Sequence, residues 1–293
     1  MDCHKIFMEK DITISQNFLK DPNLVSTLID QSDITSEDTV VEIGSGRGII
    51  TKKLALRCKK VIGVEYDHHL VLQLKNEFVD FGGVEIIEGD FLEWQLPNYQ
   101  YKVFSNIPFN MTADIVTKLL ESENPPQSTY LIIQDKAAGR FIGKPIGKNS
   151  QTSILLQPFY NMKILQKIDK DQFSPIPNIN AVLAEFTKKK EPLIRLELNQ
   201  AYRDFIIYGF NQWKPTVLKA FEEIFSYKQL KRIKKDLHLK DMKPTQLDVQ
   251  HWISLFQIYI QYVPDTRKHL VQGSETRLKS KHRSMQKQYR TRR

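Results

Sequence analysis

Five short apolar runs recur between residues 39 and 133, and this recurrence limits the fold more than any other feature of the chain. Residues 39–43, 60–64, 84–87, 102–104 and 130–133 are rich in Val and Ile, and several lack polar alternation. Strands buried on both faces of a parallel sheet read this way. Between them, 48–56, 67–78 and 112–120 have helical apolar spacing, and in the last Ile115, Val116, Leu119 and Leu120 share one face. Strand–helix alternation of this kind predicts a doubly wound α/β sheet.

After residue 135 the pattern changes. Residues 153–160, 162–168 and 181–186 read as further strands, with Phe173-Ser174-Pro175-Ile176-Pro177 as a bend before the last, so the sheet is expected to end in antiparallel strands. The charged stretch 188–192 reads as a linker. Beyond it, 202–210, 216–225, 228–237 and 247–259 have helical spacing, with Pro215 and Thr245 where helix starts are expected. The expected organisation is a catalytic α/β domain over 1–187, a small all-α domain over 193–265 and a basic, flexible tail over 266–293.

The charge is concentrated in that tail. Residues 266–293 hold ten Lys or Arg and one acid, Glu275, which accounts for the whole net charge of +9 and leaves the rest of the chain neutral. A neutral body with a cationic arm suits a polyanion. Nucleic acid is favoured over an anionic membrane surface because the tail shows no amphipathic apolar face. No run approaches the roughly 18 apolar residues of a membrane span, and the polar start Met1-Asp2-Cys3-His4-Lys5 argues against a secretory leader. Cys3 and Cys58 lack the spacing of a zinc site or a disulfide framework and read as free thiols in a reducing compartment, the cytoplasm.

The chemistry-bearing residues follow the strands. Glu42-Ile43-Gly44-Ser45-Gly46-Arg47-Gly48 joins the first strand to a helix, where glycines let backbone approach a ligand without a Cβ in the way. A turn of this type alone is shared by many nucleotide folds. The next strand ends at Glu65, placed to accept ribose hydroxyls. The following strand leads to Gly89-Asp90-Phe91, an acid suited to an adenine amino group. A dinucleotide fingerprint would need glycine at Ile49, and a P-loop would need Gly-Lys-Ser/Thr, so a nucleoside without a pyrophosphate, S-adenosylmethionine, is the better match.

Ser105-Asn106-Ile107-Pro108-Phe109-Asn110 follows the fourth strand at the carboxyl edge, where open α/β sheets bind ligands. An exocyclic adenine nitrogen is a poor nucleophile because its lone pair is delocalised into the ring. The Asn106 side-chain oxygen and the Ile107 or Pro108 carbonyl can accept its two N–H bonds, and Phe109 can stack on the base. Taken alone, Asn-x-Pro is an ordinary strand-ending turn. In order after Gly44, Glu65 and Asp90 it reads as a methyl-transfer site, with Asn106, Pro108 and Phe109 as catalytic residues. No metal is called for.

On these residues the chain resembles the ribosomal RNA adenine N6-dimethyltransferases, and within them the erythromycin-resistance 23S rRNA methyltransferases. The likeness runs from about Ile14 to Phe186 and includes Ser15-Gln16-Asn17-Phe18-Leu19 and the Phe173–Pro177 bend. It implies a Rossmann-like sheet, a C-terminal helical RNA-binding domain, and S-adenosylmethionine contacts at Asn17, Leu19, Gly44, Gly46, Glu65, Asp90 and Asn106. It also implies N6-methylation, with dimethylation the expected product, of one adenine in unassembled or partly assembled 23S rRNA. The consequence would be resistance to macrolides, lincosamides and streptogramin B, and the expected state is a monomer. Gly-Ser-Gly-Arg-Gly and Asn-Ile-Pro favour the 23S branch over the 16S branch. Phe109 replaces the usual Tyr, and Asn178 stands where a basic residue is common. The alternatives are a 16S rRNA adenine dimethyltransferase, a DNA adenine methyltransferase, for which no target-recognition domain is visible, and a non-catalytic RNA-binding factor on the same fold.

Overall fold

The computed structural model describes residues 17–291 and divides into two compact units. One comprises the chain up to Ala138 together with Asn161–Lys188; the other comprises Gly139–Tyr160 and everything from Lys189. A sequence-based division at 187 and 193 does not anticipate that Gly139–Tyr160 groups with the C-terminal residues. Cys3, Ser15 and Gln16 lie outside the described residues.

In chain order, β1 (Phe18–Leu19) and α1 (Pro22–Asp30) lead into β2 (Thr39–Ile43), α2 (Ile49–Ala55), β3 (Lys60–Glu65), α3 (His68–Glu77), β4 (Val84–Glu88), β5 (Lys102–Asn106), α4 (Thr112–Leu120) and β6 (Ser128–Gln134). Then come α5 (Asp135–Ile142), α6 (Gln151–Leu156), β7 (Tyr160–Ile168), β8 (Phe173–Ser174) and β9 (Ala181–Lys188). Seven strands form one sheet in the order β4-β3-β2-β5-β6-β9-β7. The first five are parallel, and β9 runs antiparallel to β6 from Ser128↔Thr187 to Gln134↔Ala181. The sheet is the expected Rossmann-like α/β arrangement with an antiparallel edge.

Burial explains why these runs are strands. Val40, Val61, Phe104, Tyr130 and Leu183 join one core with Val25 and Leu28 of α1, all nearly inaccessible. Val41, Ile62, Val103, Leu131 and Val182, which alternate with them along the strands, are buried too. Each such aliphatic side chain contributes about 1.5–3 kcal/mol when removed from water. Helix starts are fixed locally: Asp21 accepts the Asn23 N–H at 2.8 Å with Pro22 at the first helical position, and Asp67 accepts from His69 and Leu70.

The order of β2 and β5 matters most for function. From these adjacent strands the chain continues in opposite directions across the sheet, to β3 on one side and β6 on the other, which opens a crevice at their carboxyl ends. Their pairing register covers only Val40↔Lys102 and Val41↔Val103. Beyond it the fully buried Ser105 hydroxyl takes over, donating to the Ile43 carbonyl and accepting the Ile43 N–H at 3.2 Å.

The second unit is helical. It contains α6 and then α7 (Asn199–Phe210), α8 (Val217–Ala220), α9 (Tyr227–Asp236), α10 (Val249–Tyr262), α11 (Asp265–Lys268) and α12 (Ser274–Thr291). Its core is aromatic. The Phe205 ring lies 4.6 Å from Phe221, 5.0 Å from Tyr259, 5.7 Å from Phe256 and 6.3 Å from Trp252, centroid to centroid.

Four expectations need correction. Residues 153–160 are not a strand: Ser150 and Ser153 form a reciprocal capping box, and Ile154, Leu155 and Leu156 are buried in the helix it starts. Three consecutive apolar residues carry no period that separates the two structures. The helix expected over 216–225 is regular only over Val217–Ala220, capped by Thr216. The helix expected over 247–259 begins at the Asp248 cap rather than at Thr245, which sits in a 3₁₀ turn. The tail is not a free arm in its described part. Val271 is buried, Leu270 and Leu278 pack against the helical core, and Asp204 accepts the Gly273 and Glu275 N–H groups at 2.8 and 2.9 Å.

Candidate active site

The crevice at the carboxyl ends of β2 and β5 forms a cleft, at the place where open α/β sheets bind ligands. Its lining includes Asn17, Phe18, Gly44, Gly46, Glu65, Tyr66, Asp90, Phe91, Asn106, Ile107, Pro108 and Met111. The first unit thus brings together Asn17, Gly44, Gly46, Glu65, Asp90, Asn106 and Pro108 of the residues singled out in the sequence.

The glycine turn makes the floor. Gly44, Gly46 and Gly48 all have positive φ, at 68°, 55° and 78°, a region that L side chains rarely adopt. At Gly46 space is also limiting, because a Cβ there would lie 2.8 Å from the Phe18 ring. The Gly46 N–H donates to Glu65 Oε2 at 2.8 Å, while Glu65 Oε1 accepts the Asp67 N–H at 2.9 Å. The carboxylate is therefore fixed from both oxygens and 3% exposed. Burial raises its pKa, against the lowering effect of the Asp67, Gly46 and Tyr66 amides. Beneath the turn, burial pushes the Glu42 carboxyl up to about 8, and Thr51 Oγ1 donates to it at 2.5 Å.

Opposite stands Asn106, the last residue of β5. Its Nδ2 donates to the Asn17 carbonyl at 2.7 Å, which fixes the amide. Its Oδ1 is buried and has no hydrogen-bond partner. A buried acceptor left unsatisfied costs about 1–3 kcal/mol, so this oxygen marks a place where a donor is missing.

The segment that Asn106 grips is held as a short strand over the site. Phe18 pairs with Ser174 and Leu19 with Phe173, and Lys20 N–H donates to the Gln172 carbonyl at 3.0 Å. The Phe173–Pro177 bend and the Asn17-Phe18-Leu19 segment, far apart in sequence, are thus one piece of structure. Arg47 lies 4.9 Å from the Phe18 ring centroid, a cation–π contact at the cleft wall.

Two singled-out residues do not line the cleft. Leu19 is 6% exposed within the sheet core, and the half-buried Phe109 packs edge-on against Phe173 with centroids 6.1 Å apart. Others went unrecognised in the sequence. Lys118 of α4 donates to the Leu92 carbonyl at 2.8 Å and to the Trp94 carbonyl, and lies over the Phe91 ring, so it pins the loop that carries Asp90. Burial lowers the pKa of this lysine. Asp90 itself accepts the Leu92 N–H at 2.8 Å. Ser105 had one available signal, a hydroxyl inside an otherwise apolar strand; Arg47 and Lys118 had none.

Among the described residues no group of three or more His, Cys, Asp or Glu could hold a metal ion, and no helix is long and apolar enough to cross a membrane. Cys58 is half-buried, and burial pushes its thiol up to about 11.

Known proteins match this chain over most of its length. The family model described as ribosomal RNA adenine dimethylase matches residues 8–261. A protein of Limosilactobacillus reuteri named rRNA adenine N-6-methyltransferase is 29% identical over 252 residues, 86% of this chain and 97% of that protein. The ribosomal RNA small subunit methyltransferase A of Alkaliphilus metalliredigens is 30% identical over 217 residues, 71% of this chain and 76% of that protein. Among solved structures, the 23S rRNA methyltransferase ErmE superposes with a TM-score of 0.76 at 20% identity, covering 84% of this chain and 100% of that one.

Proposed function

The chain belongs to the ribosomal RNA adenine dimethylase family, and from that membership we propose that it transfers methyl groups from S-adenosylmethionine to N6 of one adenine in 23S rRNA. The observation that carries the reading is the Asn106 oxygen: buried, oriented by the Asn17 carbonyl, and lacking a donor.

The residues of the cleft fit the methyl donor. Glu65, held through Gly46 and Asp67, retains acceptor capacity on both oxygens for a ribose diol. Asp90 faces the cleft for an adenine amino group, and Gly44 and Gly46 leave room for backbone to approach the ligand. S-adenosylmethionine supplies an activated methyl group on a sulfonium. What the protein adds is positioning. The Asn106 Oδ1 and the Ile107 or Pro108 carbonyl accept the two N–H bonds of the target amine. Held so, the nitrogen pyramidalises and its lone pair points along the transfer direction. We assign a packing role to Leu19, and base stacking to the half-buried Phe109 beside the cleft-lining Pro108, on the part of the ring that Phe173 does not cover.

The 23S assignment rests on Gly44-Ser45-Gly46-Arg47-Gly48 and Asn106-Ile107-Pro108. Such a target, reached in rRNA not yet covered by ribosomal proteins, would give resistance to macrolides, lincosamides and streptogramin B. A second reading, methylation near the 3′ end of 16S rRNA, is favoured by the small-subunit relative at 30% identity. Primer extension on rRNA from cells with and without the protein separates the two. A stop at one adenine of the peptidyl-transferase loop, with macrolide resistance, supports the 23S reading. A stop near the 16S 3′ end replaces it with the second.

A further inference from the structure

Trp213 is 95% exposed and has φ +52°, although neither feature is usual for a tryptophan. It follows the C-terminal end of α7, where Asn211 and Gln212 turn their side-chain amides back onto the Ile207 and Tyr208 carbonyls at 2.7 and 3.2 Å. Glycine is the residue that takes such a φ without steric cost. A bulky, apolar, solvent-facing side chain held there at a conformational cost calls for a reason outside the fold.

The surroundings supply one. Trp213 borders a groove that continues across Asn211 and Gln212 to Arg277, Lys281 and His282 on α12. Arg277 is held rigidly but not neutralised. Its guanidinium donates to the Gln272 carbonyl at 2.6 Å, the Leu270 carbonyl at 2.9 Å and Ser274 Oγ at 2.8 Å, all uncharged acceptors. Glu275, the one acid of residues 266–293, is occupied by Arg203 at 2.7 Å and Lys279 at 2.8 Å. Among the described residues, no carboxylate pairs with Arg277 or Lys281. The groove therefore combines an open π-face, two uncompensated cations and side-chain amides.

We propose that this groove binds a single-stranded segment of the substrate RNA other than the target adenine, with an unpaired base stacked on Trp213 and neighbouring phosphates held by Arg277 and Lys281. An aromatic platform beside a cationic track is the general design for unpaired nucleic acid. The proposal deepens the reading of the chain as an rRNA methyltransferase and rests on it for the identity of the RNA. Its lining belongs to the helical unit and shares no residue with the cleft of the first unit.

The test uses the full chain and a short fluorescein-labelled oligoadenylate, with affinity read by anisotropy and folding by thermal melting. Trp213→Ala is expected to weaken binding about tenfold, and Trp213→Phe to stay within about threefold of wild type. Trp213→Gly should bind as weakly as the alanine variant yet melt at a higher temperature, because glycine relieves the positive φ. Lys281→Gln should flatten the dependence of log affinity on log salt by about 0.7. Alanine and glycine variants that bind within about twofold of wild type would overturn the proposal and leave the groove to a protein partner or a second copy of the chain. A phenylalanine variant as weak as alanine would overturn stacking as the cause. Methylation of a 23S transcript by the same preparations separates the two claims. Methylation by wild type with oligoadenylate binding insensitive to Trp213 defeats the groove alone. Binding that depends on Trp213, with no rRNA methylated by wild type, supports the groove and defeats the methyltransferase reading.

Discussion

Glu65 in the α/β unit and Glu275 in the helical unit are buried to a similar degree, at 3% and 6% exposure, yet their environments act in opposite directions. At Glu65 burial dominates and raises the pKa, with the Asp67 charge adding to it, against three backbone amides that lower it. At Glu275 burial also opposes ionisation, but Arg203, Lys279 and Gln200 outweigh it and bring the pKa down to about 2. One acid is held with acceptor capacity to spare; the other is consumed. The same contrast separates the unpartnered Asn106 oxygen at the cleft from Asp204, whose two oxygens cap the start of α12. The incomplete acceptor at the cleft is where we propose a donor arrives, and the completed Asp204 and Glu275 hold the helical unit together.

The strongest way to break this comparison is to close the cleft without touching its polar groups. Gly46→Val places a branched Cβ against the Phe18 ring in a backbone region hostile to it. It should weaken binding of the methyl donor about 100-fold or more by calorimetry, while the strain costs about 1–3 kcal/mol of stability. In the helical unit the largest effect should come from packing. Trp252→Ala removes a fully buried ring from the Phe205 cluster and should cost about 3–5 kcal/mol in urea unfolding.

Glu275 sharpens the comparison through pH. Its pKa is depressed in the folded chain, so its contribution is full above the ordinary carboxylate value of 4.5 and is lost as pH falls from there toward 2. Glu275→Gln should therefore lower stability by about 2 kcal/mol at neutral pH, with the difference from wild type shrinking below pH 4.5. The smallest effect on chemistry should come from the end of the chain. Deleting 283–293 removes Arg283, Lys287, Arg290, Arg292 and Arg293. The salt slope of RNA binding should flatten by up to about 3.5, with the rate of bound enzyme unchanged. Deletion from Thr266 is a poor test of charge, because it also strips Val271 and Glu275 from the helical core.

The α/β unit was legible in the sequence because parallel strands bury both faces and leave continuous apolar runs, and because each strand ends in a residue of distinct chemistry: Gly44, Glu65, Asp90, Asn106. The helical unit was less so. Ile154-Leu155-Leu156 reads equally as strand or helix, and the Ser150–Ser153 capping box that decides it has Ser where Glu or Gln is the usual signal. The tail read as a flexible cationic arm because its few aliphatic residues, Leu270, Val271 and Leu278, are spaced too sparsely to announce a packed face. At the site, Ser105, Arg47 and Lys118 act by position alone, through a strand gap, a ring face and two loop carbonyls. Such roles exist only once the fold brings the partners together.

The role proposed for Asn106 is to accept a hydrogen bond from the target amine. Single-turnover methyl transfer to a 23S transcript by Asn106→Ala, with donor affinity measured on the same sample, tests it most directly. At saturating donor the rate should fall by about 10²–10³-fold, the scale of removing one transition-state hydrogen bond, with melting close to wild type and any loss of donor affinity from releasing Asn17 read separately. A rate within about threefold of wild type, on the same scale, would contradict it.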